Sequence, residues 1–137
     1  MSASEDTTGE DALLAKLDRL NVLLAKRDPA IVDELWSGPG FLLVGSESGE
    51  MARTRDELAS HMADIFALPA TYGFARQSSI VARHGDIAWV FAECQLVITA
   101  ADGETRRPYR MSCVFQNIDG DWHWRQFVGA EPVAPAA

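Results

Sequence analysis

Apolar residues recur at helical spacing in the first half of the chain. A series of leucines spaced three or four residues apart predicts an amphipathic helix over 11–26. The pair Asp28-Pro29 joins a good N-cap to a residue suited to the first helical position, so we expect a short second helix over 29–36. The sequence Thr-Arg-Asp-Glu at 54–57 is a capping box, which predicts a third helix that ends near Pro69.

The second half shows the alternation of apolar and polar residues that is typical of half-buried strands. Long strands are predicted at 71–83, 86–100, 105–117 and 121–130, and a short strand at 41–45. Turns are expected at His84-Gly85, Asp102-Gly103 and Asp119-Gly120. The helices fall in the first half of the chain and a meander of strands in the second. This order predicts an α+β fold, in which a curved, mostly antiparallel sheet wraps around three helices.

Length favours a single domain, and the net charge limits the possible partners. The 137 residues suit one domain over 11–132, flanked by loose tails at 1–10 and 133–137. Twelve basic and twenty acidic residues give 12 − 20 = −8, a net charge that disfavours nucleic acid as a partner. No apolar run approaches the length of a membrane span, and we expect a cytoplasmic protein. Because Cys94 and Cys113 match no zinc spacing and the histidines are scattered, neither a metal site nor a cofactor is predicted.

Several short motifs, in this order and spacing, resemble the SnoaL-like branch of the nuclear transport factor 2-like superfamily. They are Phe41–Ser46 with Gly49-Glu50, Thr54–Leu58, Gly85–Val90, and Asp119–Trp122 running into Gln126–Gly129. The resemblance covers roughly Ala12 to Pro132. It implies a cone-shaped fold, in which the sheet and three helices enclose a pocket and the opposite sheet face often forms a dimer. The family includes polyketide cyclases, ketosteroid isomerases, dehydratases and proteins without a catalytic role, so the resemblance leaves function open.

Turn geometry assigns side chains to the two faces of the sheet. The first hairpin is expected to set Cys94 opposite Met111, and the second to set Cys113 opposite Gln126. One face is then almost entirely apolar and should line the pocket: Ala88, Val90, Ala92, Cys94, Leu96, Ile98, Tyr109, Met111, Cys113, Phe115, Trp124, Gln126 and Val128. The other face mixes aromatic and charged residues, which predicts a homodimer interface that includes Trp89, Phe91, Arg110, Arg125 and Phe127.

The pocket is expected to bind a small, largely apolar molecule, uncharged or weakly anionic. Its predicted lining is Trp36, Phe41, His61, Tyr72, Tyr109, Trp124 and Gln126. Gln126 is the only amide on the apolar face of the last strand, so it should pair with a donor or acceptor of the ligand. Glu50 is interpreted as a solvated loop charge, with a place at the pocket rim as the alternative.

Catalysis is the second hypothesis. His61, with Tyr109 or Tyr72, is the first choice for acid–base chemistry in an isomerase, cyclase or dehydratase. Glu93 is set aside because it falls on the outer face near Arg110 and Arg125. Since no aspartate base matches the relatives, binding is favoured over catalysis, and a dimeric scaffold without a ligand is the third possibility.

Overall fold

The computed structural model of the protein describes residues 3–135, with side chains described from Gly9 onward. Its helices are α1 (Ala3–Ala25), α2 (Ile31–Leu35) and α3 (Arg55–Phe66). Its strands are β1 (Leu42–Val44), β2 (Met51–Ala52), β3 (Thr71–His84), β4 (Ile87–Ala100), β5 (Gly103–Ile118) and β6 (Asp121–Ala130). The two-residue strand β2 was not among the strands predicted from the sequence.

The strands form one sheet in the order β2-β1-β6-β5-β4-β3. Neighbouring strands are antiparallel except β1 and β6, which run parallel. The sheet is curved and does not close, and with the three helices it confirms the predicted α+β fold. None of the described helices is long and apolar enough to cross a membrane.

Helix α1 packs against the first half of the edge strand β3. The predicted leucines are buried, and two polar contacts fix the docking. The Phe74 amide donates to Asn21 Oδ1 at 2.7 Å, and Arg76 pairs with Asp18 at 3.0 Å. Because an edge strand otherwise presents unpaired amides, Asn21 both protects this edge and orients the helix.

Helix α1 begins earlier than predicted. α1 begins at Ala3, inside the segment 1–10 for which a loose tail was predicted. Residues 131–135 have no regular secondary structure, while residues 1–2 and 136–137 lie outside the described part of the chain. The domain limits at 11 and 132 stay a prediction.

Helix α3 starts at the capping box read from the sequence. Thr54 Oγ1 accepts from the Glu57 amide at 3.1 Å, and Glu57 Oε1 accepts from the Thr54 amide at 3.2 Å. These bonds satisfy amides that the first turn of a helix leaves free. Buried Leu58 and Met62 then fix the face that α3 turns inward.

The β4–β5 hairpin turns one residue earlier than predicted. Ala100 pairs with Gly103, so Cys94 lies opposite Tyr109 and not opposite Met111. The predicted register is wrong by two residues. Because side chains alternate with a period of two, this slip leaves every residue of β4 and β5 on its predicted face. The apolar face is buried beneath the helices, and we call it the inner face.

A bulge at Arg125 reverses the second half of β6. Trp124 pairs with Phe115 as predicted, but Gln126 pairs with Val114, so Arg125 is an extra residue. Beyond the bulge, Gln126 and Val128 take outer-face positions, and the predicted pairing of Cys113 with Gln126 is wrong. Phe127, predicted for the outer face, is buried on the inner face.

Hydrogen bonds from Arg125 give the physical reason for this bulge. Its guanidinium donates to Ser37 Oγ and to the Pro39 carbonyl, each at 2.8 Å. Both partners belong to the loop that leads into β1, the parallel neighbour of β6. The extra residue therefore ties β6 to the α2–β1 loop.

Candidate functional site

A cavity of about 180 Å³ opens between α3, the β1–β2 hairpin and the inner face of the sheet. Helix side chains form one apolar wall, chiefly Leu20, Leu24, Leu35, Met62 and Ile65. Aromatic side chains of the sheet form the other wall: Tyr72, Phe74, Tyr109 and Phe127. Polar side chains complete the lining: Ser46, Glu47, Glu50, His61, Arg107 and Glu131. We call these six residues the polar cluster.

The aromatic wall is packed and continuous. The rings of Phe74 and Tyr109 have centroids 5.0 Å apart, and those of Phe74 and Phe127 lie 6.5 Å apart, both tilted. Tilted rings at such distances attract each other beyond their burial alone. Phe127 reaches this wall only because the Arg125 bulge turns it inward.

Tyr109 is 6% exposed and lies across Gly129 of the neighbouring strand. A methyl group on Gly129 would overlap the Tyr109 hydroxyl oxygen, and would lie 2.6 Å from the ring carbon Cζ. Glycine at this position therefore makes the room for the phenol.

Burial is the main cause that raises the pKa of Tyr109 to about 12. A hydrogen bond with Ser46 opposes this change, whereas the charges of Glu50 and Glu131 add to it. The phenol is therefore protonated at neutral pH. It can donate a hydrogen bond to a ligand oxygen, but it is a poor base.

His61 and Glu50 face each other in the cavity. His61 Nε2 lies 3.9 Å from Glu50 Oε2, and their side chains are 16% and 27% exposed. The capped helix α3 carries His61, and the β1–β2 hairpin carries Glu50. The pair places an imidazole, a side chain that can act as an acid or a base, beside a carboxylate in the cavity.

Glu50 is held in place by its own hairpin. Its Oε1 accepts from the Glu47 amide at 2.8 Å. A side chain on Gly45 would come within 2.7 Å of Glu50, so Gly45 leaves the space that the carboxylate occupies. The interpretation of Glu50 as a solvated loop charge is therefore wrong, because the hairpin folds the side chain toward the cavity.

Glu131 links the rest of the polar cluster. One carboxylate oxygen accepts from Ser46 Oγ at 3.3 Å, and the other pairs with Arg107 Nε at 3.1 Å. Since a carboxylate only accepts, Ser46 is the donor in its bond to Glu131. Sequence reasoning missed Ser46, Arg107 and Glu131.

Three of the seven predicted lining residues reach the cavity: His61, Tyr72 and Tyr109. The aromatic residues Trp36, Phe41 and Trp124 pack instead within the core, and they are not among the residues that line this cavity. Trp124 is fully buried, with its indole N–H donating to Glu34 at 2.8 Å, so its polar atom is already satisfied by protein. Gln126 is on the outer face because of the bulge.

Metal ligands do not gather in the described part of the chain. Among those residues, no group of three or more His, Cys, Asp or Glu side chains is placed to hold a metal ion. Cys94 and Cys113 are buried free thiols.

This cone-like arrangement of a curved sheet over three helices is the nuclear transport factor 2-like fold. The family model of the SnoaL-like domain matches residues 13–133, and the chain belongs to that family. A comparison with curated protein sequences returns no significant match.

Solved structures share the fold at low sequence identity. A proposed dehydratase of the NTF2-like family from Streptomyces avermitilis is 15% identical, with a TM-score of 0.81 over 94% of this chain and 99% of that one. A protein from Catenulispora acidiphila in complex with S-DNPA is 11% identical, with a TM-score of 0.78 over 91% and 94%. An NTF2-like superfamily protein from Salmonella enterica serovar Typhimurium is 13% identical, with a TM-score of 0.78 over 98% and 96%.

Gly129→Ala is expected to displace Tyr109 and to lower the free energy of unfolding by about 1–3 kcal/mol, because the added methyl overfills a packed site. Urea unfolding measures this loss. Gly9→Ala is the control, since nothing lies within 4 Å of that position in α1, and there the stability should rise slightly. In a Tyr109→Ala background the cost of Gly129→Ala should largely vanish. An unchanged stability of Gly129→Ala would contradict the placement of the phenol.

Tyr109 is expected to make the protein lose stability at alkaline pH. A phenol in the unfolded chain has a pKa of about 10, and the folded protein raises the pKa of Tyr109 to about 12. Within that window the unfolded state has released a proton that the folded state keeps, so stability falls as pH rises. Tyr109→Phe should flatten this fall, whereas Tyr72→Phe should not. Chemical unfolding across this range measures it, and equal slopes in wild type and Tyr109→Phe would refute the assignment.

Proposed function

We propose that the protein binds a small, largely apolar molecule in the cavity, with its polar end against the polar cluster. The observation that carries this proposal is the cavity itself, whose walls are apolar and aromatic apart from that cluster. Pockets that bind small molecules commonly combine such walls with a few polar groups that fix orientation. The complex of the similar Catenulispora acidiphila protein with S-DNPA supports a ligand in this fold.

The size of the cavity limits the ligand. An engineered cavity of about 150 Å³ in another protein binds benzene, so about 180 Å³ suits a body of one ring. Burying about 150 Å² of apolar ligand surface contributes roughly 4 kcal/mol, before the costs of association. We therefore expect weak binding of simple one-ring molecules, and a screen should use millimolar concentrations.

Acid–base catalysis is the second candidate function. His61 beside Glu50 can accept a proton, and protonated Tyr109 can donate a hydrogen bond to an oxygen on which negative charge develops. These two roles are what an isomerase, cyclase or dehydratase requires. The pair of His61 and Glu50 is the specific observation that favours this candidate.

A thermal-shift screen with one-ring, largely apolar molecules tests the binding proposal. Ile65→Trp should abolish the shifts, because Ile65 lines the cavity and the larger side chain fills it. Ser60→Trp is the matched control, since Ser60 lies on the exposed side of the same helix. Shifts that survive in Ile65→Trp, or the absence of any shift in wild type, would count against the cavity as a binding site.

The same hits separate binding from catalysis. Each is incubated with the protein and examined by mass spectrometry and chromatography for isomers or loss of water. Binding alone predicts unchanged hits and modest affinity changes in His61→Ala. Catalysis predicts a product that wild type forms and His61→Ala does not.

We also propose a homodimer through the outer face of the sheet. Ile80 is 67% exposed and Trp89 43% exposed, with half-buried Phe91 and Val114 beside them. Glu93 lies opposite Arg110 in register, yet neither forms an ion pair with any residue of the described chain. A two-fold contact would cover the aromatics and offer these charges partners.

Two predicted interface residues are removed from this proposal. Phe127 lies in the cavity wall, and Arg125 is hydrogen-bonded to the α2–β1 loop. Phe91→Glu should yield monomers by light scattering at micromolar concentration, because it places a charge among the apolar side chains of the proposed interface. Thr105→Glu adds the same charge at an exposed position of β5 and should leave the dimer intact. A monomeric wild type would refute the dimer.

A further inference from the structure

The charges in the polar cluster are unbalanced. Three carboxylates, from Glu47, Glu50 and Glu131, stand against the single guanidinium of Arg107. When His61 is neutral, this leaves 3 − 1 = 2 negative charges in excess. Arg107 already pairs with Glu131 at 3.1 Å, so its positive charge is balanced within the cluster.

The cluster also leaves a hydrogen-bond acceptor available at Glu50. Two donors of the cluster, Arg107 Nε and Ser46 Oγ, are directed at Glu131 and not at Glu50. Glu50 Oε2 makes no hydrogen bond with the described residues, because His61 Nε2 is 3.9 Å away. A ligand that brings donors can therefore join without breaking an existing bond.

Aromatic rings complete a setting suited to a cation. Tyr72, Phe74, Tyr109 and Phe127 line the cavity that the carboxylates also line. The negative faces of such rings attract ammonium groups within about 6 Å, and more strongly where water is displaced. The carboxylates and the aromatic faces thus both attract a positive charge.

We infer that the ligand is a small organic cation, a protonated primary amine on an apolar body of about one ring. Its ammonium group meets Glu50 Oε2, and its apolar body lies among the rings and the leucines of the helices. This inference rests on the proposed binding function and adds the charge of the ligand to it. It replaces the uncharged or weakly anionic ligand expected from the sequence, because a carboxylate beside Glu50 would be repelled in a partly buried site.

Three probes of nearly equal shape test the inference at neutral pH: benzylamine, benzyl alcohol and benzoate. Isothermal titration calorimetry should show benzylamine binding about tenfold more tightly than benzyl alcohol, and benzoate most weakly. Glu50→Gln should remove most of the preference for the amine and leave the affinity for the alcohol within about twofold. Asp102→Asn is the control, because it removes one negative charge at an exposed turn outside the cavity and should leave the preference intact.

The outcomes separate this inference from the proposal on which it rests. If benzyl alcohol or benzoate binds as tightly as benzylamine, and Ile65→Trp blocks that binding, the cavity is a binding site and the inferred charge is wrong. If the preference for the amine persists in Glu50→Gln, the inference is also wrong. If no probe binds, or if Ile65→Trp blocks none of them, both the proposed function and the inference fail.

Discussion

The single extra residue in β6 determines the cavity on which the rest of the site depends. Beyond the bulge at Arg125, Phe127 and Gly129 turn inward. Phe127 supplies part of the aromatic wall, and Gly129 supplies the gap that the Tyr109 ring occupies. Without the bulge, Gln126 and Val128 would hold these positions, and a β-branched side chain would stand where the phenol lies. The hydrogen bonds of Arg125 to the α2–β1 loop thus help to fix the positions of both the aromatic wall and the Tyr109 phenol.

The polar cluster depends on elements that are distant in sequence but individually simple. The capping box starts α3 in a defined phase, which turns His61 toward the cavity. The β1–β2 hairpin folds Glu50 back over Gly45, and β5 presents Arg107 and Tyr109 on one face. Each placement follows from local backbone geometry. Their meeting follows from the parallel pairing of β1 with β6, which brings the hairpin beside the end of the last strand.

Most of the fold could be predicted from the sequence because its signals are local. Helical spacing, the capping box and the turn glycines specify α3 and the long strands within a few residues. The two-residue error in the predicted β4–β5 register did not change the predicted faces, since a shift of two residues keeps every side chain on its side of the sheet. The Arg125 bulge could not be predicted in this way, because it depends on a loop almost ninety residues away, as the spacing from Ser37 shows.

A strand residue of the site could be predicted only where the sequence assigned its side chain to the correct face of the sheet. Tyr109 lies on β5 before any bulge, and it was placed correctly, whereas Gln126 follows the bulge and was not. Arg107 was missed, although it lies two residues before Tyr109 and alternation alone puts it on the same face. Glu131 lies beyond the bulge and beyond the last strand, so only the folded structure brings it to Ser46.

The proposed binding and the alternative, acid–base catalysis, would use the same groups of the site. Because Tyr109 stays protonated and Glu50 stays available, the cavity offers a donor and an acceptor at its polar cluster without any rearrangement of its walls. A bound amine would engage Glu50 and so compete with His61 for the same carboxylate. An ammonium group seated there would occupy Glu50 Oε2, the oxygen that lies 3.9 Å from His61 Nε2. A ligand whose charge suits the cavity would therefore occupy the carboxylate that the catalytic hypothesis pairs with His61, so for a cationic ligand the binding hypothesis is favoured over catalysis.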